Sequence, residues 1–395
     1  MAWLTPWRLR VYPRALLGAM ALAVAAALLA GSGAAVVSGR LGGDFAEFYA
    51  AGRIVRSGQG ERLYDPAVQR AAQRDLMPQG GDAFVPFAYP PQFALPYVLL
   101  AALPYRTAYA VHLAAMATLL FLAVRLACRD LPWAAPHVSA VYCAAALFYP
   151  LLRSLLGGQN TPLTLFLCAA AWSLERRDRP VLAGLCLAAL CYKPQFGLGL
   201  VALYALAGRA RLVLAACLGL AAVVLLNTIV FGPSWPMAWL GHADWVVRTS
   251  LGMEGDKAVS FLGGSRHVLA AWPSAALAVG LVLSLATLAC LGATFLRRRG
   301  RPLPLSHLGL AGAGLLLAAP HAYFYDAGLL LFAALALADA RTPHAAAWVG
   351  GLWLAGLAQL AAPSLGASPL FPAALAFFGL SLALTRRLDA AASCV

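Results

Sequence analysis

The sequence predicts an all-α polytopic membrane protein with about twelve (about 10–13) transmembrane helices. Hydrophobic residues make up 62% of the 395 residues and charged residues only 11%, whereas soluble domains carry roughly 25% charged residues. The apolar residues form runs that approach the roughly 20 residues of a membrane span, and shorter runs suffice where neighbouring helices shield them. Because no polar stretch is long enough to fold beside these runs, we expect a single transmembrane domain over residues 1–395.

The first predicted span follows Arg8, Arg10 and Arg14. Basic residues before an apolar run are also typical of signal peptides, but the run 15–37 is too long for a signal-peptide core, so we predict an uncleaved first helix. A shorter apolar segment at 93–103 is predicted to lie in the membrane interface or to re-enter. The predicted spans are 15–38, 106–127, 137–152, 161–174, 180–192, 196–207, 212–231, 272–296, 305–319, 327–338, 345–361 and 369–385.

Arginine clusters predict how these spans are oriented. The chain has 29 Lys and Arg against 15 Asp and Glu, a net charge of +14, and in membrane proteins such an excess reflects basic cytoplasmic loops rather than nucleic-acid binding. With the N-terminus inside and twelve spans, every cluster falls on the cytoplasmic side, which predicts a cell-membrane protein with both termini cytoplasmic. The clusters lie at 8–14, 125–129, 176–179, 209–211, 297–301, 341 and 386–387.

The longer polar segments then fall on the extracytoplasmic side, where we expect the chemistry. The first outer loop covers about 39–92 and a second long one about 232–266. In the first loop, the aromatic residues after Asp44 recur at helical spacing, which predicts an amphipathic helix in the outer headgroup region. Asp44 is a candidate catalytic base at its N-terminus, and the alternative is a helix N-cap, since that position favours a carboxylate.

Other polar side chains interrupt the apolar runs. An ionisable residue at membrane depth is functional by default, so we interpret Lys193 as a phosphate ligand, with snorkelling to the interface as the alternative. Gln159 and Asn160 lie between two spans, where unsatisfied polar groups are costly, and either cap the adjacent helices or bind sugar hydroxyls. Tyr89 precedes two prolines that give a rigid entry into the segment 93–103.

Two more outer segments carry candidate residues. His321 lies in the turn 320–326, where an imidazole, two phenols and a carboxylate converge. It is a candidate to donate to a phosphate or to orient the acceptor, and the alternative is a place in the aromatic belt. The aromatic residues of 235–248 recur at helical spacing and predict an interfacial anchor first and a sugar-stacking platform second; Arg248 ends this segment.

Several chemistries find no support in the sequence. The eight cysteines show no CxxC or Cys/His ligand spacing, so we interpret them as helix-packing residues. The chain has no GxxxxGK[ST], HExxH or GxSxG motif and no evident repeat of two halves. A nucleotide-driven pump is therefore not expected.

The order of these motifs resembles glycosyltransferase family 87. The similarity runs through most of the chain and is most specific between residues 43 and 200. Each motif is weak alone, whereas their order and spacing together are distinctive. The motifs are Asp44, Phe45, Phe48, Tyr49 and Ala51; Gly58; Leu63, Tyr64 and Asp65; Tyr89, Pro90 and Pro91; Gly158, Gln159 and Asn160; and Lys193, Pro194 and Gln195.

The resemblance implies a membrane glycosyltransferase of the GT-C class. Such an enzyme transfers a hexose, typically mannose, from a polyprenyl-phosphate donor to a glycolipid or glycan acceptor with inversion. The resemblance further implies that Asp44 is the catalytic base and that Lys193 and His321 are donor-phosphate or active-site groups, whereas the role of Glu47 stays open. The other residues that we expect to contact the donor are Tyr89, Gln159, Asn160 and Arg248.

The chemistry of the residues agrees with this resemblance. In inverting transfer, one carboxylate takes the proton of the acceptor hydroxyl while the phosphate leaves from the opposite face of the sugar. Cationic side chains can stabilise that phosphate, so we expect no metal and no cofactor. Two alternatives stay open. A transporter or flippase would place ionisable groups near mid-membrane, and a ligase or polymerase of lipid-linked oligosaccharides would carry its large polar loop late in the chain.

Overall fold

Helices form the regular structure of the computed structural model, which describes residues 6–30, 42–76, 85–250 and 255–393. Uninterrupted apolar runs favour helices because backbone groups in a membrane must pair within their own segment. The helices up to residue 206 are α1 (Pro6–Ala30), α2 (Phe45–Arg56), α3 (Pro66–Gln73), α4 (Leu95–Leu100), α5 (Tyr105–Cys128), α6 (Val138–Leu147), α7 (Tyr149–Gly157), α8 (Thr161–Glu175), α9 (Pro180–Leu190) and α10 (Pro194–Leu206). Those after it are α11 (Ala210–Phe231), α12 (Trp235–Ser250), α13 (Phe261–Val268), α14 (Pro273–Arg297), α15 (Leu305–Ala318), α16 (Leu330–Asp339), α17 (Ala345–Ala358), α18 (Ala362–Leu365) and α19 (Leu370–Ser393).

Short 3-10 turns join several of these helices, and β structure is confined to one bridge within the described residues. The bridge pairs Ala258 with Tyr323 in antiparallel fashion. The all-helical prediction is therefore confirmed. The 3-10 turns are Gly60–Arg62, Pro91–Ala94, Ala135–His137, Phe324–Leu329 and Gln359–Ala361.

Six of the described helices are long and apolar enough to cross a membrane, and a bent pair at 135–157 can add a seventh span. The chain is therefore an integral membrane protein with several spans. The number twelve stays a prediction because α8, α9, α10 and α15 have only 15, 11, 13 and 14 residues. At about 1.5 Å per residue, α8 rises about 22 Å, less than the roughly 30 Å of the hydrocarbon core.

Two of the predicted span boundaries are wrong. The first helix begins at Pro6 rather than at residue 15, and residues 31–38 of that predicted span lie outside the described part. The predicted span 137–152 is not one helix, because α6 ends before Phe148 and α7 leaves at 73° to it. Pro150 lies in the first turn of α7, where its missing N–H is tolerated, and it cannot continue the hydrogen bonding of α6.

The predicted amphipathic helix after Asp44 is present as α2, but its apolar face packs on protein rather than on headgroups. Nine of its twelve residues are buried, and Phe48 stacks on Tyr97 of α4 with ring centroids 5.1 Å apart. A Cβ atom on Gly52 would lie 2.2 Å from the Tyr97 carbonyl oxygen. Only glycine allows this close approach of α2 and α4, so the first outer loop folds as part of the core.

The middle of the core is α15. From Leu305 to Leu317 every residue of this helix is buried, as expected for a helix that is apolar on all sides. The described cysteines are unpaired and most of them are buried, in agreement with a packing role; Cys394 lies outside the described residues.

The arginine clusters after α8, after α10 and after α14 meet in space. Arg209 pairs with Glu175 at 2.5 Å and also donates to the carbonyl of Arg301. The N–H of Gly300 donates to the Ala207 carbonyl at 3.1 Å. These clusters therefore share one end of the bundle, as the predicted topology requires, while the side of the membrane they face stays a prediction.

The opposite end of the bundle collects the first residues of α8 and α10. Because both helices end beside an arginine cluster, Asn160 and Lys193, which directly precede them, lie at the far end. The turn 320–326 after α15 lies there too, since α15 starts close to the arginine end, where the Leu303 carbonyl accepts from the Trp172 indole at 2.9 Å. Sequence-distant polar residues are thus brought together at this end.

Candidate active site

Asp44 directly precedes α2 in the N-cap position, yet its side chain makes no capping hydrogen bond. Its backbone N–H donates to the Gly157 carbonyl at 3.0 Å, which ties the start of α2 to the end of α7. Its Oδ2 accepts a hydrogen bond from Nε2 of Gln159 at 3.0 Å. The interpretation of Asp44 as a helix cap alone is therefore wrong, because the carboxylate is directed at the loop after α7.

Gly158 makes this approach of the α7–α8 loop to α2 possible. Its φ of +79° is left-handed, and a Cβ atom at this position would lie 2.6 Å from the Cβ of Phe45. Any other residue would meet both backbone strain and a clash. Gly158 therefore sets the position of Gln159 relative to Asp44.

Gln159 and Asn160 do not cap helices through their side chains. Gln159 links two site residues, since its Oε1 accepts from the Tyr89 hydroxyl at 3.3 Å. Asn160 precedes α8 without a side-chain cap bond, and its Oδ1 accepts from the Tyr192 hydroxyl at 3.1 Å. Its side chain also lies beside the Tyr89 hydroxyl. Sugar binding by both residues stays a prediction.

An aromatic wall holds Tyr89 in place. Phe93 and Tyr192 stack almost in parallel, with centroids 4.4 Å apart and planes at 10°, and Tyr89 stacks beside Tyr192 at 6.1 Å. The Tyr192 hydroxyl lies 2.6 Å from Oγ1 of Thr164. Buried rings with satisfied hydroxyls form rigid supports, so the Tyr89 hydroxyl is oriented before any ligand binds.

Lys193 is buried, with only 4% of its surface exposed, so its side chain does not snorkel to the membrane interface. Its Nζ lies 2.6 Å from Oδ1 of Asp326 and 5.6 Å from the centroid of the Tyr325 ring. Asp326 is exposed by only 4%. The ammonium therefore has a carboxylate partner inside the protein, and a role as phosphate ligand stays a prediction.

Glu47 lies one helical turn after Asp44 and is exposed by only 5%. The amphipathic pattern of α2 does not predict this burial of an acidic side chain. Burial, followed by the nearby charge of Asp44, raises the pKa of Glu47 well above its ordinary value, while Lys193 acts in the opposite direction. Two carboxyl groups therefore share one enclosed space, and Glu47 is the one that holds a proton most readily.

The electrostatic surroundings of Asp44 differ from those of Glu47. Burial raises the pKa of Asp44 above its ordinary value, and the Gln159 hydrogen bond acts against this. The positive charges of Arg153 and Lys257 also favour the carboxylate. Asp44 as a residue keeps part of its surface exposed, whereas Glu47 is almost fully buried.

His321 lies in the turn between α15 and the segment 324–329, at the edge of the site. Its ring contacts Tyr323 edge-on at 4.2 Å, and its carbonyl oxygen accepts from Nε2 of Gln195 at 3.4 Å. Burial lowers the pKa of His321, although the charge of Asp326 opposes this. A neutral imidazole with an N–H donor is the expected form, and its participation in catalysis stays a prediction.

The segment 235–248 forms α12, which packs on the first outer loop. The Trp239 indole donates to the Ala88 carbonyl at 3.0 Å, and the His242 ring lies 5.6 Å from the ring of Tyr64. Both contacts are with protein, so this helix anchors the loop that carries Tyr89. The side chain of Arg248 lies outside the described part of the structure.

The structure adds residues that the sequence analysis did not select as site residues: Glu47, Arg153, Lys257 and Asp326. Asp326 ends the turn 320–326 and Lys257 is the other lysine of the chain, so weak signals existed for both. Within the described residues, no three His, Cys, Asp or Glu side chains are grouped so that they could hold a metal ion. The expectation of a metal-independent and cofactor-independent reaction stays a prediction.

Comparison with known proteins identifies the chain. No curated protein and no solved structure matches it. The family model described as Glycosyltransferase family 87 matches residues 87–320, which is more than half of the chain and includes Tyr89, Gln159 and Lys193. Asp44 and Asp326 lie outside the matched range, and the structure brings them to the matched residues. The chain therefore belongs to glycosyltransferase family 87 and is a membrane glycosyltransferase.

Proposed function

We propose that the enzyme transfers a hexose, mannose in the first instance, from a polyprenyl-phosphate donor to a glycolipid or glycan acceptor at the extracytoplasmic face of the cell membrane. Family membership supports a glycosyltransferase over a transporter or an oligosaccharide ligase. The observation that carries the mechanism is the hydrogen bond that holds the Asp44 carboxylate to Gln159 among buried polar groups at one end of the bundle; Asp44 as a residue keeps part of its surface exposed.

The proposed reaction is an inverting displacement. The Asp44 carboxylate takes the proton of the acceptor hydroxyl while the hydroxyl oxygen bonds to C1 of the sugar. The bond between C1 and the phosphate oxygen breaks on the opposite face, and the polyprenyl phosphate leaves with the bonding electrons. The charge that develops on the phosphate requires nearby donors or cations, and the site supplies Lys193, Lys257 and the His321 imidazole as candidates.

The short helices at the site bear on where it lies relative to the membrane. Because helices α8, α10 and α15 are too short to cross a bilayer alone, the proposal places the site below the outer membrane surface. A recessed position suits a donor whose lipid chain stays in the membrane. It also keeps water from the sugar while transfer proceeds.

The test is transfer by purified enzyme in detergent or nanodiscs. Radiolabelled mannosyl polyprenyl phosphate is supplied with a membrane lipid extract, and the wild type is compared with Asp44→Asn. We expect loss of at least about 100-fold in rate, the range of general-base catalysis. Asp75→Asn is the matched control, since Asp75 is an exposed aspartate of the same outer segment and its carboxylate pairs with Arg53.

Two outcomes would contradict the proposal. Equal rates for the wild type and Asp44→Asn would remove Asp44 from the mechanism. Transfer from a nucleotide sugar but not from a polyprenyl-phosphate sugar would refute the donor class. The configuration of the labelled product, determined by digestion with anomer-specific mannosidases, tests inversion.

A further inference from the structure

A cavity of about 470 Å³ lies between α13, the start of α14 and residues 320–323. Its size falls in the range of small-molecule sites. Arg266 and His267, in the last turn of α13, line one side, and His321 lines the other. Within the described residues, the lining contains no acidic side chain. The cavity is therefore electropositive and suited to an anion.

The cavity is joined to the active site by backbone pairing. The N–H of Val259 donates to the Ala322 carbonyl at 3.0 Å, and the N–H of Phe324 donates to the Lys257 carbonyl at 2.9 Å. This pairing fixes one wall of the cavity to the turn that carries Asp326. His321 lines the cavity and also feels the charges of Asp326 and Lys193. His321 therefore links the cavity to the surroundings of the buried ion pair.

The cavity also lies at the end of a membrane span. Pro273 and Ala276, which line it, belong to the first turn of α14, one of the helices long and apolar enough to cross a membrane. Val268, the last residue of α13, and Trp272, which directly precedes α14, are exposed by 75% and 66%. Exposed apolar and indole groups at a span end are typical of the membrane interface. A ligand of this cavity can therefore keep a hydrophobic tail in lipid.

We propose that this cavity binds the phosphate of the lipid-linked donor, with Arg266 as its principal ligand. The inference rests on the proposed function and names the subsite that the function requires. Arg266 has no carboxylate partner in the described part of the chain, whereas Lys193 is already paired with Asp326. A guanidinium binds phosphate oxygens through two parallel hydrogen bonds, which a lysine cannot do.

The experiment measures binding without transfer. The probe is farnesyl phosphate, and its affinity for the purified full-length protein is measured by fluorescence change or calorimetry. We expect binding by the wild type and about tenfold weaker binding by Arg266→Gln, equivalent to about 1.4 kcal/mol. His267→Gln should also weaken it. The control is Arg74→Gln, an exposed arginine of the first outer loop far from the cavity in sequence, which should leave affinity unchanged.

If a variant fails to fold, competition experiments on the wild-type protein test the same proposal. Farnesol should not compete with farnesyl phosphate, and inorganic phosphate should compete only at much higher concentration. Equal competition by inorganic phosphate would show a general anion site and overturn the assignment to a lipid. Competition by farnesol equal to that by farnesyl phosphate would show a site for the isoprenoid chain alone and overturn it as well.

The variants provide the other refutations. Unchanged affinity in both Arg266→Gln and His267→Gln would overturn the proposal. So would loss of affinity in Lys193→Met with no loss in Arg266→Gln, because the phosphate would then lie at the buried pair. Failure of the proposed function would differ from all of these, since the wild type would bind farnesyl phosphate but transfer no sugar.

Discussion

The buried ion pair between Lys193 and Asp326 allows a quantitative test of the structure. Its atoms lie 2.6 Å apart, with side chains only 5% and 6% exposed. Changing one partner leaves the other charge buried and uncompensated, which costs about 3–5 kcal/mol. Lys193→Met and Asp326→Asn should each destabilise the protein by about this amount. The double variant should lose much less than the sum, because no unpaired charge remains.

A second ion pair of the same length provides the control. Arg53 and Asp75 also approach to 2.6 Å, but their side chains are 34% and 62% exposed. Exposed pairs typically contribute about 0–1 kcal/mol. The two double-mutant cycles therefore compare pairs of equal shortest distance at different burial, and the coupling energy of the buried pair should be larger by about 2 kcal/mol or more, although the exposed pair makes two hydrogen bonds.

The assay is thermal unfolding in detergent for the wild type and each single and double variant. Coupling energies for the two pairs that agree within about 0.5 kcal/mol, the usual error of additivity, would refute the argument from burial. Measurement of transfer in the same samples adds a second result. If the pair also supports the reaction, the double variant Lys193→Met with Asp326→Asn should be more stable than either single variant but should remain inactive in transfer.

Three further predictions concern pH, the second carboxyl group and helix packing. The base must be ionised, and burial raises the pKa of Asp44. The transfer rate should therefore fall as the pH decreases, with a midpoint above the ordinary aspartate pKa of about 3.9. Gln159→Leu removes a hydrogen bond that lowers the pKa of Asp44, so it should move this midpoint to still higher pH. Glu47→Gln should keep transfer within about tenfold in rate, well short of the loss expected for a base, because a protonated carboxyl group and an amide have similar shape. Gly52→Ala should destabilise the protein by about 1–3 kcal/mol through overpacking. Gly350→Ala, whose new methyl group meets open space in α17, should stabilise the protein by about 0.5–1 kcal/mol. Thermal unfolding measures both changes.

The sequence predicts what depends on local composition. Apolar runs indicate helices because a backbone in lipid must form its hydrogen bonds within its own segment. Asp44, Gln159 and Lys193 were found because each interrupts or borders such a run. The same local logic correctly grouped the arginine clusters, such as those at 209–211 and 297–301, at one end of the bundle.

Contacts between distant segments could not be predicted in this way. The partners Lys193 and Asp326 are separated by 133 positions, and no periodicity connects them. The burial of Glu47 was not predicted for a related reason. Helical spacing predicts which face of α2 is apolar, but it does not predict that protein also covers the polar face. The break at Phe148 was missed because the residues on both sides of it are apolar, and hydrophobicity alone does not report a bend of 73°.

The three acids of the site differ in what surrounds them, and this bears on which one serves as the base in the proposed mechanism. Asp326 is matched by Lys193 at 2.6 Å and is committed to that pair. Glu47 is almost completely buried, which together with the neighbouring charge of Asp44 raises its pKa well above the ordinary value, so it holds a proton more readily than Asp44 does. Asp44 is partly exposed, accepts a hydrogen bond from Gln159 and feels two positive charges. A general base must be ionised and within reach of the acceptor, and these surroundings favour Asp44 over the other two acids in the proposed mechanism.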